Sequence, residues 1–151
     1  MKKQDYLIIQ ILSWFTVIYN IAEGLVSTYF GVKDETLSLF GFGIDSFIEM
    51  ISGFGIIIMV NRIEKKPLSE KSDSEKIALK ITGYCLIALA ILLLVTAIIS
   101  IFEKHMPKET IAGTWISGIS IIIMYFLIHK KTEIGKRLNS DAIIADANCA
   151  K

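Results

Sequence analysis

Gly41–Gly53 reads GFGIDSFIEMISG and places two carboxylates, Asp45 and Glu49, inside an otherwise apolar run from Thr36 to Val60. A run of that length crosses a bilayer, which takes roughly 20 apolar residues rising about 1.5 Å each. Four residues apart, the acids stack on one helical face, about 6 Å from each other. A carboxylate near the membrane centre is costly unless it is paired, hydrated or bound to a cation. The run contains no basic residue. The acids therefore hold protons, receive a cation, or lean on hydroxyls and carbonyls of neighbouring helices. Gly41, Gly43, Ser46, Ser52 and Gly53 flank the pair and let a helix or water come close. That setting favours a cation or proton site over a purely structural one.

Working outward, the 151-residue chain is 53% hydrophobic with a mean hydropathy of +0.57, which suits one membrane domain better than a soluble one. A net charge of +1 offers nothing to nucleic acid. Cys85 and Cys149 make no disulfide framework, and Cys85, within an apolar run, reads as a small core residue. The first apolar run is followed by more of the same, so it reads as an anchor.

Four spans are expected, over about 6–30, 36–60, 77–102 and 110–128, with a fifth helix beginning about 139. The expected fold is all-α: a polytopic membrane protein of four transmembrane helices plus the start of a fifth. In the first span Asn20, Glu23, Gly24 and Ser27 share a face. Asn20 and Glu23 form an accessory cation or proton site if that span packs on the second; otherwise Glu23 bonds a neighbouring helix. Residues 61–76 are charged and serine-rich, a solvated linker whose Ser74 and Glu75 can cap the next helix. The third span has no acid or base between Gly83 and Phe102 and is expected to face lipid. His105, in a short loop with Pro107, reads as solvated. The fourth carries Gly113, Ser117, Gly118 and Ser120, a small-residue face suited to packing. It is followed by the basic segment HKKTEIGKR.

Charge sets the expected orientation. Twelve basic residues (Lys2, Lys3, Arg62, Lys65, Lys66, Lys71, Lys76, Lys80, Lys130, Lys131, Lys136 and Arg137) fall on one side of these spans. Lys33, Lys104 and Lys108 fall on the other. The positive-inside rule then puts the N-terminus and loop 61–76 in the cytoplasm.

The acid pair of GIDSFIEMISG resembles the second-helix site of the cation diffusion facilitator family, where two acidic or histidine ligands four apart bind zinc or a related divalent ion. MYFLIHKKTEIGKRLNSDAIIADANC resembles that family's passage from the fourth helix through a basic linker into the fifth, and NIAEG (residues 20–24) looks like the first helix of its short branch, which lacks the cytoplasmic C-terminal domain. The resemblance implies that Asp45 and Glu49 bind the metal. It further implies that Cys149 stands at the first fifth-helix ligand position and Asp146 at a nearby Asp or Asn position. The second fifth-helix ligand would fall four beyond Cys149, past Lys151, so the chain looks like a truncated six-helix protein. A homodimer is implied by the resemblance alone.

The chemistry of such a site is that of Zn2+ as substrate, or another divalent transition metal. Two carboxylate oxygens with a Cys149 sulfur suit zinc better than magnesium or calcium. On a helix Asp146 and Cys149, three apart, share a face, while Asp141 suits the helix start, where a carboxylate meets the positive end of the dipole. The leading expectation is a divalent metal transporter, a proton-coupled exporter or a fragment of one. Two alternatives are a non-transporting metal-binding or regulatory membrane protein and a small multidrug exporter using Glu23. The strong charge bias and long charged loop count against the exporter. No Ser/His/Asp or Cys/His arrangement suggests an enzyme.

Overall fold

The computed structural model describes residues 2–33, 37–65, 71–103 and 111–149. They form five helices: α1 (Lys2–Lys33), α2 (Leu37–Lys65), α3 (Lys71–Glu103), α4 (Ile111–Leu138) and α5 (Asp141–Cys149). The first four are long and apolar enough to cross a membrane, so the chain is an all-α, multi-pass membrane protein. The helices run on past the expected spans at most of their ends. Helices in lipid satisfy their own backbone, and that pattern runs on past the apolar stretches into charged sequence. α2 continues to Lys65 and α3 already begins at Lys71, so much of the expected linker is helical, and Ser74 and Glu75 lie inside α3 rather than at its cap. His105 and Pro107 lie outside the described residues.

α1 and α2 are an antiparallel pair with the most extensive contact in the bundle; α3 packs on α2 and α4 on α1. Glycines bring the backbones of the pair together. A Cβ on Gly43 would stand 2.8 Å from the Thr28 amide nitrogen and 3.0 Å from the Gly24 carbonyl oxygen, and one on Gly31 would stand 2.5 Å from the Phe40 nitrogen. In lipid there is no hydrophobic drive between helices, so this intimacy and the polar bonds it permits hold the pair together.

α4 ends in a Schellman turn. The Ser140 amide donates to the Gly135 carbonyl (3.0 Å) and the Asn139 amide to that of Lys136 (3.2 Å). Asn139 takes the left-handed conformation the motif needs (φ 51°). The turn folds α5 back against α4, where a Cβ on Gly135 would sit 2.9 Å from Ile144. Asp141 occupies the first turn of α5, as expected, with Asn139 and Ser140 forming the connection. The core, including Ile9, Ile56, Met59, Ile134 and Ile143, lies where α1 begins and where α5 wedges between α3 and α4.

Most of α3 and α4 is exposed, with Leu93, Leu94, Ile121, Ile122 and Phe126 outward, as lipid-facing helices require. The small-residue face expected on α4 is not a packing face: only Ser120 is buried, and Gly118 has open space where a Cβ would go. Cys85 is a buried free thiol.

Candidate cation site

Two buried polar constellations lie along α2. The first is at the α1–α2 interface. The buried stripe of α1 runs Ser13, Thr16, Asn20, Glu23, Ser27, steps of three and four that keep one face toward α2. On α2, Ser46 and Glu49 answer it. The Asn20 side-chain amide donates to Glu49 Oε2 at 3.1 Å. Tyr19 donates its phenol proton to Glu23 Oε1 at 2.8 Å. The Ser46 hydroxyl lies 3.0 Å from Glu23 Oε2 and 3.0 Å from the Phe42 carbonyl; with one proton, it serves one of them at a time. The first span thus packs on the second, and Glu23 bonds the neighbouring helix through Ser46.

Several polar atoms here lack partners, the Ser13, Ser27 and Thr28 hydroxyls among them. Asp45 Oδ1 and Asn20 Oδ1 are both buried and without a hydrogen-bond partner. Three carboxylates, Glu23, Asp45 and Glu49, share this region, and none makes an ion pair with a lysine or arginine among the described residues. Asp45 also lines a cavity of 420 Å³ between α2 and α3, with Leu37, Ser38, Gly41, Phe42, Leu93 and Thr96 around it. The cavity lies toward the end where α2 begins. Asp45 is thus the acid with an open approach, and Glu23 and Glu49 are the acids held by protein donors.

No family model matches the sequence. No solved structure matches it either.

The second constellation lies one turn beyond Glu49. Asp146 does not present free oxygens to the acid pair. Its Oδ1 accepts from Ser52 at 2.7 Å, and its Oδ2 is held by Lys131 Nζ at 2.8 Å. Because the Ser52 proton is committed to Asp146, Thr82 Oγ1, 3.0 Å away, must be the donor to Ser52. Lys131 and Asp146 are 3% and 4% exposed, so Lys131, grouped above with the basic segment of one membrane face, is an internal cation. Cys149 ends α5, and its side chain lies outside the described part. Among the described residues, no three His, Cys, Asp or Glu side chains form a group that could hold a metal. The described donors near Asp45 and Glu49 are all oxygens, a set suited to hard divalent ions and tolerated by zinc.

The bonds at Glu23 predict the effect of a neutral substitution there. In Glu23→Gln the amide oxygen keeps the Tyr19 bond, Ser46 falls back on Phe42, and the new NH2 faces a region rich in unpaired acceptors. We expect stability within about 1 kcal/mol of wild type, read as the thermal midpoint in detergent. A large loss would show that the Glu23 charge holds the helix pair together.

Proposed function

We propose that the protein is a transporter of divalent metal cations, with zinc as the first substrate to test, and that Asp45 and Glu49 bind the ion while Glu23 and Asn20 support them. The supporting observation is the acid cluster: three carboxylates on neighbouring stretches of α1 and α2, a buried Asp45 oxygen without a partner, and no lysine or arginine paired with any of the three among the described residues. Burying that much negative charge in a bilayer is unfavourable without a positive partner, and a divalent ion or protons would supply it. The cavity beside Asp45 offers an approach from one side of the membrane. By the distribution of basic residues that side is the non-cytoplasmic one, so the arrangement resembles an outward-open release state.

On this reading metal and protons exchange on the same oxygens. Metal displaces protons from Asp45 and Glu49 when they face the cytoplasm. Protons arriving through the cavity displace metal when the acids face outward, so export runs against proton influx. Asn20 and Ser46 hold Glu49 and Glu23 in place in both states. The test is zinc flux into proteoliposomes with an imposed pH gradient. Uptake should accelerate when the lumen is the more acidic side and stop when the gradient is collapsed. Flux indifferent to the gradient would remove the coupling.

A second reading, a membrane protein that binds the metal without moving it, draws on the lack of a three-ligand group among the described residues. Saturable zinc binding with no flux under any gradient would favour it.

A further inference from the structure

The buried Lys131–Asp146 pair takes no part in the mechanism above, yet it is the one ion pair lying fully inside the bundle among the described residues. Its carboxylate is clamped from three other helices: Lys131 of α4 on one oxygen, and on the other Ser52 of α2, itself steadied by Thr82 of α3. Ser52 follows Glu49 by three residues, so the two share a face of α2, about one turn apart. Through Asp146 the Lys131 ammonium is tied to Ser52, on the face of α2 that also carries Glu49. An ammonium has three protons to donate, and among the described residues Lys131 gives one to Asp146. Freed from Asp146, a lysine on a flexible four-carbon stem would have Glu49 as the next carboxylate along that face.

We infer that Asp146 is a positioning residue: it holds the Lys131 ammonium off Glu49 and thereby sets the affinity of the acid cluster for its cation. The inference rests on the cation-binding reading above and deepens it. In place of a metal ligand, Asp146 becomes the keeper of a tethered competitor. A pair serving only to fasten α5 to α4 would affect stability and leave ion affinity alone. A ligand at Asp146 would lose affinity whatever Lys131 carried.

Zinc affinity of the purified full chain in detergent, measured by titration calorimetry, separates these. Asp146→Asn should weaken zinc binding roughly tenfold or more, because a unit positive charge now sits against Glu49. Adding Lys131→Gln should return the affinity to the wild-type level. Ser52→Ala, which keeps both charges and removes one clamp, should weaken binding in the same direction by less, and Lys131→Gln should reverse that too; this pair decides the matter if Asp146→Asn does not fold. Asp146→Asn binding zinc as wild type, or a double variant as weak as Asp146→Asn, overturns the inference. Wild-type protein that binds no divalent ion at all sinks the cation reading itself, and this inference with it.

Discussion

Asp45→Asn should lose zinc binding by roughly a hundredfold, about 3 kcal/mol, the scale of one unit charge removed from beside a divalent ion at intermediate dielectric. Asparagine preserves size and keeps one acceptor oxygen, so a loss of this size reports charge and not packing. Glu49→Gln should fall in the same range, because its Asn20 bond survives on the amide oxygen while its charge does not. Asp141→Asn, at the exposed start of α5, is the matched control and should leave binding unchanged. Titration calorimetry on the three variants reads all of this. If Asp45→Asn and Glu49→Gln both bind zinc as tightly as wild type, the site is elsewhere.

Gly43→Ala should be damaging out of proportion to one methyl group, as should Gly31→Ala, whose Cβ would press on Phe40 backbone. At Gly43 the new Cβ would meet backbone, the Thr28 nitrogen at 2.8 Å and the Gly24 oxygen at 3.0 Å, and backbone within two packed helices does not yield as a side chain does. Separating α1 from α2 would also stretch the Asn20–Glu49 and Ser46–Glu23 bonds. Overpacking of this kind costs about 1–3 kcal/mol, and the weakened polar bonds add to it, so both the thermal midpoint and zinc affinity should fall. Gly118→Ala, with nothing within 4 Å of the new carbon, should hold or slightly raise the midpoint, since alanine is the better helix former. Equal behaviour of Gly43→Ala and Gly118→Ala would mean that α1 and α2 do not sit as close as described.

The helices were legible because apolar runs of membrane length have few alternatives. Their ends were not, since charged residues continue a helix as readily as they leave it; Lys65 and Lys71 are helical for that reason. The acid pair was legible from spacing and from the lack of any base within its run. Lys131 was misread because HKKTEIGKR looks like a solvated patch. The signal was present in the register: Ser120, Met124, Leu127, Lys131, Ile134 and Leu138 are all buried at steps of three and four, and Lys130 beside it is exposed. The partners of Asp146 lie 15 and 94 residues away, and no local pattern announces contacts of that kind. The Tyr19 phenol is a donor to Glu23, a role that its i, i+4 spacing from that acid could have suggested.

The polar stripe of α1 has a consequence for how the protein is made. Ser13, Thr16, Asn20, Glu23 and Ser27 all face inward, and α1 is far less apolar than α3. Emerging before α2, α1 alone would present Asn20 and Glu23 to lipid without their α2 partners. Their bonds to Glu49 and Ser46 become available only once the first half of α2 has been synthesised. Only three residues separate the two helices. Entering the membrane together as a hairpin would let α1 and α2 satisfy these groups in each other, whereas α3 needs no such companion.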